Sequence, residues 1–195
     1  MKNIGIVTLY HNNCNYGGIL QAHALSSAVL ALGYDCRVID YVPTPLSSME
    51  KLKRKIAVQG VGQAAGAAAH NGVKMLAGKM NRIAGYHAQP EIRAREAHAA
   101  EFREKIPHTE MCTAKELPAV AEQFDAFLCG SEQIWNMGGA GRFDPVYWLE
   151  FVPQGKGKAS YAASMPLPAI PESEIEVIRK RVCALDCVSV REMQG

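Results

Sequence analysis

The sequence lacks the patterns that usually mark a metal site, a membrane span or a nucleic-acid surface. Its six cysteines include no Cys-x-x-Cys pair, the spacing typical of structural zinc sites. No unbroken run reaches the roughly 18 apolar residues that a spanning helix needs, because polar side chains interrupt the best candidate at residues 56–78. Basic and acidic residues nearly balance, 21 against 19, so nothing points to nucleic acid as a partner. We expect no metal ligands, no transmembrane helix and no nucleic-acid partner.

A secretion signal is also missing from the N-terminus. The apolar run at residues 4–9 is too short for a signal-peptide core, and no small-residue cleavage site follows it. We therefore expect a cytoplasmic protein whose cysteines are reduced and mostly buried.

The composition is that of an ordinary globular protein, and predicted strands alternate with predicted helices along the chain. Residues 4–9 form a continuous apolar run, which is typical of a strand buried on both faces. Gly33 ends a helical pattern, and residues 36–40 form the next strand, so the start of the chain predicts a βαβ unit. The apolar face of that helix consists of Gly18, Gln21, Ala22, Leu25, Ala28, Val29 and Leu32.

Predicted helices and strands alternate again in the second half of the chain. A short helix is predicted near residues 114–123 after Thr113 as its N-cap, although Pro118 favours a later start. Pro171 opens another helix, and strands are predicted at 125–129, 159–163 and 187–190. We predict a doubly wound, mostly parallel, Rossmann-like α/β sheet.

The middle of the chain differs from its surroundings. Residues 50–105 hold 11 basic and 5 acidic side chains, and Pro90 opens a helix that runs to about Lys105. We predict a Rossmann-like core at 1–44 and 110–195 with a helical, basic insertion at 45–109. The basic segment 49–82 has two interpretations: peripheral contact with anionic lipid at the inner membrane face, or a solvated lid.

Polar residues gather in the loop after the first strand, where parallel sheets bind ligands. The loop contains Asn15, Tyr16, Gly17 and Gly18, and two glycines at a helix start let a ligand approach the backbone. Gln21 heads the apolar face of the helix, so its amide is expected to point inward and needs partners. This loop has two interpretations. It could bind a phosphate or carboxylate group, or it could be only a tight strand-to-helix turn. The sequence does not decide between them, because the loop matches no known phosphate-binding motif.

A second polar loop follows the strand at 125–129. Trp135 could stack on the face of a sugar ring or fill the core beneath the loop. Glu132 could act as a general base or stand exposed. The polar members of this loop are Ser131, Glu132, Gln133 and Asn136.

A third group follows the last two strands. Arg191 could bind an anionic substrate or pair with Glu132 or Glu192 as part of the scaffold. Ser160 and Ser164 are expected near the same edge. His11 and His23 are the histidines expected nearest to it, and Cys14 precedes a helix N-terminus, although no partner histidine is evident.

Together these motifs resemble the N-terminal domain of the polysaccharide pyruvyl transferase family. The resemblance covers most of the chain outside residues 45–110. One departure is Glu132, which stands where the family usually has aspartate. The stretches that carry the resemblance are 15–25 (NYGGILQAHAL), 38–41 (VIDY), 125–136 (DAFLCGSEQIWN), 160–164 (SYAAS) and 189–192 (SVRE).

The resemblance implies one half of a two-domain, GT-B-like enzyme with its active site in the cleft between the domains. It implies transfer of a pyruvyl group from phosphoenolpyruvate to a saccharide or lipid-linked saccharide of a cell-surface polysaccharide precursor, forming a ketal without a cofactor. The chain ends before a second catalytic domain, so we expect an incomplete N-terminal part that is inactive alone. Glu132 and Arg191 are the catalytic candidates. The substrate-binding candidates are Asn15, Tyr16, Gly17, Gly18, Gln21, Ser131, Gln133, Trp135, Asn136, Ser160 and Ser164.

Two other functions remain open from the sequence. One is a non-catalytic module that binds a sugar or phosphate on the same fold. The other is a glycosyltransferase-like protein that uses a nucleotide sugar.

Overall fold

The computed structural model describes residues 2–43, 90–136, 144–165, 170 and 172–192. The chain divides into two compact units, one formed by 1–44 with 99–195 and the other by 45–98. The basic segment 49–82, the interrupted apolar stretch 56–78 and Pro171 lie outside the described residues. Among the helices of the described ranges, none is both long and apolar enough to cross a bilayer.

The core of the first unit is a four-stranded parallel sheet. Its strands are β1 (Asn3–Val7), β2 (Asp35–Val38), β3 (Ala126–Gly130) and β4 (Gly157–Tyr161), in the order β2-β1-β3-β4. In register, Ile4 of β1 faces Cys36 of β2 and Ala126 of β3. The strand order places β1 and β3 at the centre, where apolar runs are expected. The Rossmann-like α/β prediction is confirmed.

Helices connect the strands. Asn15 caps α1 (Tyr16–Ala31), and its side chain accepts a hydrogen bond from the Gly17 amide. The later helices are α2 (Pro90–Glu104), α3 (Leu117–Ala121), a 3₁₀ helix (Pro145–Trp148) and α4 (Glu172–Cys183).

Two details of the helix predictions need correction. The α3 helix begins at Leu117, with Pro118 in its first turn and Glu116 as its N-cap residue instead of Thr113. Both the backbone amide and the hydroxyl of Thr113 donate to the Glu116 carboxylate, which lowers the pKa of that glutamate. On α1, Ala28 and Leu32 of the predicted apolar face are exposed, Leu32 to 74%; the helix ends at Ala31, and Leu32 is its C-cap.

The predicted strand at 187–190 is not a regular strand. It meets the sheet through two isolated parallel bridges, Ala159 to Cys187 and Ala163 to Val190. Between them, the Ser160 hydroxyl accepts from the Ser189 amide and lies 3.1 Å from the Ser189 carbonyl oxygen, to which it donates. The side chain of Ser160 thus adds bonds to the irregular backbone pairing at this edge.

The two faces of the sheet bury different side chains. On one face Ile6 packs with Ile19, Ala22 and Leu25 of α1. On the other, the ring of Phe127 meets Phe124 and Phe151 edge to face, with ring centroids 5.7 and 5.5 Å away. The face of the sheet that packs against α1 also has an apolar cavity of about 300 Å³ beside β3 and β4. Ile4, Val29 and Leu128 are among the residues that line it.

Candidate functional site

Loops at the carboxyl edge of the sheet surround a cavity of about 290 Å³. The carboxyl ends of parallel strands meet at one edge, which is where such folds bind ligands. The volume lies at the lower end of the range for small-molecule pockets, so it suits one sugar-sized group. The lining residues are Leu9, Tyr10, His11, Asn13, Asn15, Pro43, Glu132 and Tyr147.

Asn13 organises the loop between β1 and α1. Its amide group donates to the Leu9 carbonyl at 2.6 Å, and its side-chain oxygen accepts from the Asn15 backbone at 2.8 Å. Gly18 packs directly against this side chain, since a Cβ there would collide with Asn13 Nδ2. Asn15 and Gly18 are candidates from the sequence but Asn13 is not, because its importance depends on its contacts within the folded loop.

Gln21 joins the first loop to the end of β3. Its side-chain oxygen lies 3.1 Å from Thr8 Oγ1, which donates to it, and its amide nitrogen lies 3.5 Å from the Gly130 carbonyl oxygen. Gly130 has a φ of +125°, and a Cβ there would overlap the carbonyl of Tyr161. The inward-pointing amide therefore finds scaffold partners from two strand ends.

Glu132 lines the cavity and is half-buried. Its backbone carbonyl accepts from the Ser164 amide at 3.1 Å, which fixes the loop beside the end of β4. No hydrogen-bond or ion-pair partner for its carboxylate is found within the described ranges of the chain. A carboxylate held in a cavity without a protein donor is available to accept hydrogen bonds from a ligand.

His11 lines another side of the cavity and is paired with Asp40. His11 Nδ1 lies 2.9 Å from Asp40 Oδ1, and Nε2 lies 2.9 Å from the side-chain amide nitrogen of Asn12. Asp40 follows β2 and belongs to the stretch 38–41 of the resemblance, but no sequence pattern pairs it with His11. Adjacent parallel strands bring together these residues, which lie 29 positions apart.

Trp135 lies in the core. It is 1% exposed and stacks on Trp148 at 4.4 Å, while Nε1 donates to the Tyr147 carbonyl. Its ring therefore presents no face to a sugar in this structure. This geometry agrees with the core interpretation of Trp135.

Among the described aromatic residues of this region, Tyr147 lines the cavity and is 1% exposed. Burial raises the pKa of its phenol, and the carboxylate of Asp144 raises it further. Asp144 is held by the hydroxyl of Tyr41, which donates to Oδ2 at 2.7 Å. Tyr147 therefore stays protonated near neutral pH.

Arg191 lies in a separate cluster after β4. Its Nη2 donates to Ser164 Oγ at 2.9 Å, and its Nε lies 3.5 Å from Glu192 Oε1. The Ser164 hydroxyl donates to Glu192, which is the main reason that the pKa of this glutamate is lowered. Of the alternatives open from sequence, the structure shows the pairing with Glu192; Arg191 does not line the cavity.

The remaining candidates are not gathered into one site. Ser160 is buried and bonded to Ser189, whereas Tyr16 at the start of α1 is exposed. Asn136 donates to the side-chain oxygen of Gln133 at 2.8 Å, and Ser131 is half-buried. Of the substrate-binding candidates only Asn15 lines the cavity. Among the described residues no three His, Cys, Asp or Glu side chains cluster as metal ligands.

Comparison with known protein families identifies the family of this chain. A family model described as polysaccharide pyruvyl transferase matches residues 15–195. The match begins at the N-cap of α1, so it includes the loops that carry Glu132 and Arg191. No curated protein and no solved structure matches the chain.

Proposed function

This chain belongs to the polysaccharide pyruvyl transferase family, and from that membership we propose that it serves the transfer of a pyruvyl group from phosphoenolpyruvate to a saccharide. The cavity at the carboxyl edge of the sheet is, in this proposal, the subsite for the acceptor sugar. The expected product is a pyruvyl ketal on a polysaccharide precursor, and a lipid-linked acceptor at a membrane surface is compatible with it.

The charge of the cavity supports an acceptor subsite. Among the described residues that line it are one glutamate and one histidine but no lysine or arginine. Phosphoenolpyruvate carries a phosphate and a carboxylate, which proteins hold with cationic side chains or free backbone amides. A neutral sugar instead needs hydrogen-bond acceptors and donors, and Glu132, Asn13 and Tyr147 carry both kinds of group.

Glu132 is the residue on which the proposal depends most. Its carboxylate has no protein partner among the described residues, so it can accept hydrogen bonds from sugar hydroxyls without first giving up another bond. The anionic donor then binds beside this cavity. Arg191 remains the predicted contact for it, and the Ser164 side chain and amide link Arg191 to the Glu132 loop.

The test is sugar binding to the ¹⁵N-labelled chain, followed by amide chemical shifts. Neutral hexoses should shift the amides of Asn13 and Glu132. Glu132→Gln should weaken binding by about tenfold or more, because a hydrogen bond to a charged group is worth ~1.5–3 kcal/mol. Glu110→Gln changes an exposed carboxylate outside the cavity and is the matched control.

Two results would count against the proposal. Equal binding by the Glu132→Gln and Glu110→Gln variants would place the sugar elsewhere. Sugar binding by the full-length protein without phosphate release from phosphoenolpyruvate would favour the non-catalytic module.

A further inference from the structure

The pair formed by His11 and Asp40 has no role in sugar binding as proposed above, yet His11 lines the cavity. His11 follows β1 and Asp40 follows β2, and these strands are neighbours in the sheet. The side chains are 17% and 18% exposed, so both are largely enclosed while His11 still lines the cavity.

The contacts of the pair define the state of the imidazole. A carboxylate can only accept, so the contact at 2.9 Å places a proton on Nδ1, and in the neutral ring the lone pair is then on Nε2. The Asn12 side-chain amide donates to Nε2 at 2.9 Å. Asn12 is exposed and has a φ of +47° in the loop. A ligand hydroxyl that donates to Nε2 would take the position now held by the Asn12 side-chain amide.

We propose that His11 is the base that takes the proton from the acceptor hydroxyl, and that Asp40 is its positioning residue. The inference rests on the proposed function and adds the proton acceptor to it. An aspartate behind a histidine holds the tautomer and stabilises the imidazolium that forms. Imidazole is suited to proton transfer near neutral pH, whereas the Glu132 carboxylate is better suited to holding sugar hydroxyls.

The proton balance of the reaction fits this assignment. The acceptor O–H bond breaks, its proton passes to Nε2, and the oxygen forms a bond to C2 of phosphoenolpyruvate. The imidazolium returns this proton to C3, where the C2–C3 π electrons form the new C–H bond, so C3 becomes a methyl group and His11 is neutral again. A second hydroxyl of the sugar then displaces phosphate from C2. The phosphate takes up the proton of that hydroxyl and leaves as hydrogen phosphate.

Substitution of His11 tests its role in proton transfer separately from sugar binding, because the two affect kcat and KM differently. In the complete enzyme, with phosphoenolpyruvate and saccharide, His11→Gln should lower kcat about 10²- to 10⁴-fold, the usual contribution of a general base. KM for the sugar should change less than about threefold, whereas Glu132→Gln acts on KM. His98→Gln, at an exposed position of α2, is the matched control. A kcat for His11→Gln within threefold of the wild-type value would overturn the assignment.

A second measurement needs no turnover and no substitution of His11. In the ¹⁵N-histidine-labelled chain, the ring signals of His11 should show the neutral tautomer with the proton on Nδ1. Asp40→Asn should abolish that preference, because an amide can also donate to Nδ1. Adding a neutral hexose should shift the Nε2 signal as its hydroxyl replaces the Asn12 amide.

The outcomes distinguish the two proposals. If hexose shifts the amides of Asn13 and Glu132 but leaves the His11 ring unchanged, His11 is not the base while the acceptor subsite stands. If hexose shifts none of these signals, the acceptor subsite fails, and the assignment of His11 fails with it.

Discussion

Two adjacent glycines at the start of α1 should respond in opposite ways to the same substitution. A Cβ at Gly17 would lie 3.4 Å from Asn15 Oδ1, which is a tolerable contact. A Cβ at Gly18 would collide with Asn13 Nδ2, the atom that donates to the Leu9 carbonyl. Gly17→Ala therefore tests helix propensity, whereas Gly18→Ala also displaces the side chain that organises the loop.

The magnitudes follow from the contacts that each variant keeps or loses. Replacing glycine by alanine in a helix stabilises by up to ~1 kcal/mol, and less in the first turn. Gly18→Ala must move the Asn13 amide and so loses two hydrogen bonds, to Leu9 and from Asn15, worth about 1 kcal/mol each. We expect Gly17→Ala to be neutral or slightly stabilising and Gly18→Ala to be about 1–2 kcal/mol less stable than Gly17→Ala.

Urea unfolding of both variants, followed by far-ultraviolet circular dichroism, measures the difference. The same preparations should show that Gly18→Ala loses hexose binding, because Asn13 lines the cavity, while Gly17→Ala keeps it. Equal stabilities and equal binding for the two variants would refute the role given to Asn13.

Two further predictions concern the core. Trp135→Ala should lower the free energy of unfolding by about 3–5 kcal/mol, the usual cost of removing a buried large aromatic side chain, and urea unfolding measures it. Burial raises the pKa of Cys129 from 9.0 to about 12 and that of Cys112 to about 11. The thiols ionise at lower pH in the unfolded chain, so their contribution to the free energy of unfolding should be fully present below about pH 9 and be lost as the pH rises toward 11–12. Cys129→Ala should reduce this loss of stability at alkaline pH. An unchanged pH profile for that variant would contradict the prediction.

The order of local elements could be predicted because it depends on short-range patterns. The apolar run of β1, the spacing of Ala22, Leu25 and Val29 on α1, and Gly33 after that helix are visible within a few residues. Parallel pairing then follows from the short crossover through α1. The same reasoning placed the Glu132 loop at the carboxyl edge of the sheet.

What sequence reasoning missed depends on contacts between distant positions. The role of Trp135 was undecided because its partner Trp148 lies on a 3₁₀ helix that no periodicity predicted. His11 and Asp40 come together only once β1 and β2 are paired. Ser160 looked like a ligand contact, yet its hydroxyl bonds an irregular strand whose register the sequence does not reveal.

The stacked tryptophans also have an optical consequence. The chain contains two tryptophans, and both belong to this one pair, with ring planes 3° apart. Tryptophan fluorescence, excited selectively over that of the seven tyrosines, is therefore a local probe of one place beneath the Glu132 loop. The Trp135 indole bonds to the backbone of Tyr147, a residue of the cavity wall. A ligand that shifts this wall should change the emission without any attached dye.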